Sequence, residues 1–520
     1  MSNAITVTLY GAKTMDISDQ LISLLAEYEL NTIPMAVMEI SDGNFADRTY
    51  PIFNEADLQI GAELDIRIRY EDEGDTEVSI FQGIVIASEF GLKKGLPLLT
   101  VTLKDPAFRL IRSVNTNMFS KKTDKSMIET VVSEVKGVSI KKASTQLSSV
   151  TYDQFIRKQT SAWDFVRERA SGFGLVIQLE NGAMSILDQD TTTGTQSIEL
   201  GIDNITDIQL VLDAEYLNQD IEINYWDVKP NKTATVKKNS SSELAKTVSA
   251  PKANFTLLNL TDKKEAQGVC EYFSTFETRS EIKGSISIPG KSDVKLMQKL
   301  TLKSFPDSYN GSYPISKVVH KLRFGTWVTE VGIGQDSIFT GKSNSSENPT
   351  IPTIKNTEIA TAMKWEKDPE GLGRVPVKVL SFGTDKYWAY PSQVGAGKKQ
   401  SSYLLPEEEE QLMIGFLHDN YNQGFVITST YLGNNKPPSP FKLDSKTPVG
   451  FLSTTGMKLI FDDDKVEVEM SSSSSNKMVL DKSDGVTIDT NKNIKATSSS
   501  KTDIKAGSKM TLKGATIDLN

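Results

Sequence analysis

Met478-Val479-Leu480, Val486-Thr487-Ile488, Ile494-Lys495-Ala496, Thr502-Asp503-Ile504 and Met510-Thr511-Leu512 recur at eight-residue intervals toward the carboxyl end of the chain. In each unit two residues flank a third that is often polar, the alternation of a strand with one buried face. Nine of the ten flanking residues are apolar or small, and Thr502 is the exception. Polar runs such as Thr490-Asn491-Lys492-Asn493 and Ala506-Gly507-Ser508 separate the units with turn chemistry. The pattern predicts very short strands stacked along an axis, a β-helix or β-prism. A single chain offers two inward side chains per unit, too little apolar area to offset the entropy of ordering it. Three identical chains around one axis would bury Met478, Leu480, Val486, Ile488, Ile494, Ala496, Thr502, Ile504, Met510 and Leu512 against one another and leave few free edges. The expectation is a homotrimer with a C-terminal intertwined triple-stranded β-helix whose core is those ten residues.

The 520-residue length suggests three or four domains, and 38% hydrophobic with 24% charged residues suits folded domains with ample polar surface. A net charge of −9 argues against a nucleic-acid binder. That charge is uneven, since eight lysines face five aspartates from Lys477 onward. A modestly basic needle would suit an acidic surface, although a solvated exterior of mixed charge is the simpler reading. The opening Met1-Ser2-Asn3-Ala4-Ile5 lacks the basic and apolar stretches of a signal peptide, and no apolar run approaches a membrane span. The single cysteine, Cys270, excludes an intrachain disulfide framework and reads as a packed helical thiol.

Upstream, the patterning predicts a mainly β chain with a small α+β insert. Residues 1–105 alternate as strands, for example Glu63-Leu64-Asp65-Ile66-Arg67-Ile68, and suggest a first small β-barrel. In 106–200, Ser126 to Glu129 and Ser161 to Asp164 have capping-box spacing, and Asn181-Gly182 is a hairpin turn. Residues 201–340 return to strands as a second barrel paired with the first, with a helix over Thr261–Phe276 and a polar loop over Thr235–Ser249. A linker at 341–364 precedes a five-stranded OB-fold barrel at 365–440, and 441–520 form the transition and the needle.

No catalytic, cofactor or metal site emerges. His320 sits in an apolar strand and reads as structural; His418, in a turn, has no metal-ligand spacing. Asp462-Asp463-Asp464 could ligate calcium but reads more simply as a tight turn leading into Val466-Glu467-Val468. Glu407 to Glu410 reads as a solvated loop. Gly371-Leu372-Gly373 lacks the lysine of a phosphate loop.

At these residues the chain resembles the VgrG-type hub–spike proteins of type VI secretion systems, contractile phage tails and extracellular contractile injection systems. Gly373-Arg374-Val375, Trp388-Ala389, Ala396-Gly397, the proline of Leu405-Pro406-Glu407, Leu412-Met413-Ile414-Gly415-Phe416, and Thr430-Tyr431-Leu432-Gly433 before Pro437-Pro438 follow the family's spike-base barrel in order. Gly450 to Asp463 is similar to its transition into the needle, and Ile223-Asn224-Tyr225-Trp226-Asp227 and Tyr313-Pro314-Ile315-Ser316 to its hub. The chain departs from the family at Glu407-Glu408-Glu409-Glu410, where many relatives carry a Gly-Asp pair, and it has no room for the lysozyme domain of some phage spikes.

The resemblance implies a homotrimer whose paired hub barrels make a pseudo-sixfold ring matching a hexameric inner tube protein. It further implies baseplate partners and a PAAR-like tip protein on the needle. The expected function is the non-enzymatic central spike of a contractile injection machine. Such a spike joins the inner tube and baseplate to a membrane-puncturing trimeric needle that meets the target cell membrane. With no effector domain expected after Asn520, the chain would be made and assembled in the bacterial cytoplasm as part of a phage tail-like particle, some of which are released. A trimeric receptor-binding tail fibre or adhesin is the alternative, and a β-helical polysaccharide-cleaving enzyme is further off, because the repeats carry lysine and serine outward.

Overall fold

Period-two alternation in the first hundred residues buries one face of each strand, as in Met35–Ser41, where Ala36, Met38 and Ile40 are fully enclosed. The computed structural model describes residues 5–334 and 357–518, apart from 44–46, 72–75, 94, 216, 228–231, 241, 258–259, 261, 384–385, 398, 400–401, 418–419, 433–434, 443–447 and 472–473. It divides into two units, Met1–Ser429 and Thr430–Asn520. Most of 341–364 and all of His418 therefore lie outside the described residues.

In the first unit the two hub halves are not separately closed barrels. They share a 13-stranded sheet that runs from Asp207–Leu212 at one edge to Thr14–Asp16 at the other. The seam is the antiparallel pairing of Gly311–Arg323 with Leu21–Glu29, in register at Lys317 and Glu29. Alternation along either strand fixes its buried face but not its partner, so the sequence cannot distinguish a shared sheet from two barrels. Separate apolar cores around Ile66 and Val101, and around Leu300 and Val331, sit on the two halves.

The insert pairs a ribbon, Val114–Thr123 with Thr151–Ser161, with a three-stranded sheet and the helices Asp124–Ser133 and Ala162–Ser171. Ser161 caps its helix by accepting from the Asp164 N–H at 3.0 Å. The other helix begins earlier than Ser126: Thr123 is its cap, and Ser126 closes the reciprocal bond. Asn181 and Gly182, at φ 48° and 72°, make the hairpin turn between Leu175–Glu180 and Ala183–Asp188.

Residues 220–280 form their own small unit rather than part of a second barrel. Asp220–Asp227 pairs with Lys232–Asn239 and Ala253–Thr256, and the helix Lys263–Ser280 packs on them. The stretch Thr235–Ser249 is thus a strand end and a short helix, Glu243–Thr247, rather than a loop. Polar residues dominate it because, among its described residues, only Val236, Ser242 and Ala245 are buried. Cys270 is buried on the long helix, and burial pushes its thiol up to about 11. Arg169 of the insert fastens this unit in place, reaching Asp124 at 2.5 Å, the Tyr152 hydroxyl at 2.5 Å and Glu265 at 3.3 Å.

The remaining part of the first unit is a closed five-stranded barrel: β1 (Glu358–Ala362), β2 (Val375–Val379), β3 (Tyr387–Pro391), β4 (Gln411–Phe416) and β5 (Gly424–Ser429), in the order β1-β2-β3-β5-β4. Its first strand falls inside the stretch taken for linker, because Glu358-Ile359-Ala360-Thr361-Ala362 is short and carries only one bulky apolar residue. Val377, Tyr387, Ala389, Leu412 and Ile414 fill the barrel, and Ile156 of the insert ribbon packs into the same core.

Polar contacts lock ribbon and barrel together. The Gln154 side-chain amide donates to the Trp388 carbonyl and accepts from the Trp388 N–H, both at 2.9 Å, as a neighbouring strand would. Lys158 pairs with Glu358. Arg374 bridges Asp153 at 2.6 Å and Asp368 at 2.8 Å. The loop Asp368–Arg374 wraps the Asp368 carboxylate, which accepts the N–H groups of Glu370, Leu372 and Arg374, with Gly371 and Gly373 at positive φ.

Burial alone would raise Asp368, but the Arg374 side chain and the loop N–H groups outweigh it and hold the carboxyl at about 2. The folded value is depressed, so this stabilisation is complete above about pH 4 and is lost as pH falls toward 2. Replacing the guanidinium (Arg374→Met) leaves the buried Asp368 and the partly buried Asp153 without their cationic partner. The expected cost is about 3 kcal/mol or more in denaturant unfolding of the first unit, with a flatter acid limb between about pH 4 and 2.

Candidate functional site

The second unit holds a five-stranded antiparallel meander: β6 (Val449–Leu452), β7 (Lys458–Phe461), β8 (Lys465–Ser471), β9 (Ser474–Asp481) and β10 (Gly485–Asp489). Tight turns set it. Asp462 and Lys465 exchange backbone bonds between β7 and β8, so the aspartate run makes the expected turn. Asp481 accepts from Ser483 and Asp484 between β9 and β10.

The register places Val449, Phe461, Val466, Leu480 and Val486 in one cross-strand row. Phe451, Leu459, Val468, Met478 and Ile488 form the adjacent row. The members of the two rows on each strand are two residues apart, so all ten share one face. That face is uncovered, with Phe451 63% and Val486 63% exposed.

The opposite face is charged. Lys458, Glu469, Lys477 and Asp489 follow one another across four strands with alternating sign. Lys458 reaches Glu469 at 2.6 Å and Glu467 at 3.2 Å, and Lys465 reaches Glu467 at 3.3 Å. Such pairs hold the strands in register. The result is an amphipathic wall whose solvent-compatible side is already satisfied and whose apolar side is not.

Of the ten residues expected in the needle core, the structure of one chain brings together Met478, Leu480, Val486 and Ile488. Ile494, Ala496, Thr502, Ile504, Met510 and Leu512 lie exposed and outside any strand. Six residues of the apolar rows, Val449, Phe451, Leu459, Phe461, Val466 and Val468, were not in that expected set. Their alternation is visible in sequence, but their alignment with the repeats depends on turn lengths.

The other candidates serve structure. His320 is buried, its Nδ1 3.1 Å from the Thr329 hydroxyl, and burial with nearby Lys295 lowers it to about 4. In the glutamate run, the Glu407 N–H donates to Glu410 at 2.7 Å and Glu409 adopts φ 70°. Among the described residues no group of three or more His, Cys, Asp or Glu side chains is arranged to hold a metal, and no helix is long and apolar enough to cross a membrane.

The family model of the Alg8 N-terminal domain matches residues 2–323, more than half of the chain. The chain belongs to that family. Beyond this Alg8-type region, the type VI secretion system/phage-baseplate injector OB domain matches residues 361–431, the span of the closed barrel. No curated protein matches in sequence.

Among solved structures, the Alg8-type chain is similar in fold to the VgrG-complex chain of the lidded Francisella PdpA–VgrG complex, at 9% identity and TM-score 0.60 over 94% of this chain and 80% of that one. The lidless form of that complex gives 10% identity and TM-score 0.57 over 94% and 98%. The 43 kDa tail protein of prophage MuSo2 from Shewanella oneidensis gives 11% identity and TM-score 0.51 over 64% and 98%. In fold the chain is VgrG-like, and its solved neighbours are tail and secretion-system proteins.

Placing a charge on the apolar wall tests the site. Val468→Asp is expected to abolish whatever contact covers the two rows, read as native mass, whereas Lys477→Gln on the opposite face leaves that mass unchanged.

Proposed function

We propose that this chain is the non-enzymatic central spike of a contractile injection machine. Three copies assemble with the apolar walls of β6–β10 turned inward and the charged faces outward. From Thr490 onward the octads continue as strands formed between chains, with Ile494, Ala496, Thr502, Ile504, Met510 and Leu512 completing a dry core. The observation that carries this reading is the uncovered apolar face, in register with the first two octads and followed by three more.

Each aliphatic side chain moved from water into such a core contributes about 1.5–3 kcal/mol, and the gain exists only when copies meet. The hub supports the same arrangement. Asp207–Leu212 is an edge strand with Ile208, Val211 and Leu212 exposed, suited to pairing between copies. Two pseudo-equivalent halves per chain give three copies six faces for a hexameric inner tube ring, with baseplate proteins around it.

The needle carries a PAAR-like tip protein and punctures the target cell membrane on contraction. A trimeric fibre or adhesin would share the needle, but the injector OB domain at residues 361–431 favours the spike.

Two measurements test this. Light scattering is expected to give a native mass of three chains, and a single-chain mass overturns the proposal. Removing everything from Ser471 onward is expected to abolish capture of a PAAR-type tip protein while leaving hub–tube binding within about twofold; retained tip capture overturns the needle assignment.

A further inference from the structure

Charge changes sign along the second unit. From Val449 to Asp489 there are four lysines and eight acidic residues, whereas from Thr490 to Asp518 there are six lysines and two aspartates. The change is registered to the octad. The residues just before and just after the inward pair are Lys477 and Asp481 in the first unit, then Gly485 and Asp489, then Asn493 and Thr497. In the last two units they are Lys501 with Lys505, and Lys509 with Lys513. All four of these lysines are exposed, and the structure pairs Lys501 with Asp503 at 2.8 Å.

In the stacked needle of the proposed spike, on which this inference rests, Lys501 lies one layer from Lys509, and Lys505 one layer from Lys513. Like charges at adjacent rungs of a ladder are destabilising. Three copies place twelve such ammonium groups on the lateral faces of two layers. At the position after the inward pair, held by Lys505 and Lys513 in the last two octads, the first two octads carry Asp481 and Asp489, so the repeat itself does not demand lysine there. Asp503 offsets one of these charges within the chain, and a counter-charge from outside it would offset the rest.

We infer that the last two octads are a lateral binding surface for phosphate-bearing anionic lipid headgroups, engaged through Lys501, Lys505, Lys509 and Lys513. Flexible, repeated cations without a pocket suit a fluid sheet of phosphates better than a shaped protein partner. They lie beside the inward pairs rather than across the end of the prism, which leaves a tip protein and a membrane compatible.

The test uses the full chain and flotation with vesicles of phosphatidylcholine alone or with 30% (about one in three) phosphatidylglycerol. The wild-type protein is expected to bind the anionic vesicles at least about tenfold more strongly, with the gain lost at high salt. Changing the four lysines together to glutamine should remove that preference while native mass stays at three chains. Inorganic phosphate should release the protein no better than chloride of equal ionic strength. Equal binding to both vesicles, full retention by the glutamine variant, or selective release by free phosphate each overturns the inference. A trimer that ignores anionic vesicles sinks this inference alone, whereas a monomer sinks the spike reading beneath it.

Discussion

An amphipathic sheet with one face satisfied and the other bare is the constraint from which the quaternary reading follows. The charged face of β6–β10 is closed by its own lysine–glutamate pairs, so it requires nothing from outside. The apolar face has no helix or second sheet from its own unit laid over it in the described residues. A five-stranded meander in this state cannot be a stable end point in water. The unit divides at the same point: up to Asp489 the strands pair within one chain, and from Thr490 the described octads lie outside any strand.

The first unit answers a different requirement. A β-rich hub has many strand edges, and this one consumes most of them by running a single sheet through both halves. The insert then does two jobs with one ribbon. Its helices pack around Arg169, whose carboxylate and phenol partners come from three separate elements, while Ile156 and Gln154 reach into the barrel. A buried arginine with this many partners is a device for specifying which elements meet, since its desolvation is compensated in only one arrangement.

What the sequence could and could not convey follows from the range of each interaction. The Asn181-Gly182 turn, the Ser161 cap and the inward set of each strand depend on neighbours a few residues away, and they are readable. The helix start at Thr123 was misplaced because Ser126 offers capping chemistry of its own, as the third residue of the box. The loop assigned to Thr235–Ser249 failed for a related reason, since a strand facing solvent on one side and a small core on the other is mostly polar. Gln154 and Trp388 stand 234 positions apart, and nothing local marks a glutamine as a strand-mimicking clamp. At the candidate site, the octad half of the apolar wall is periodic and legible. The other half becomes part of the wall only through the turn at Asp462 to Lys465, which sets which residue faces which.

The glutamine clamp has a mechanical corollary. Because Gln154 offers an amide to Trp388 as a peptide unit would, the ribbon and the barrel behave as adjoining strands of one fabric, reinforced by the Arg374 bridge to Asp153. A load applied to the ribbon would therefore pass into the barrel through side chains held at both ends, without relying on the chain that links them in sequence.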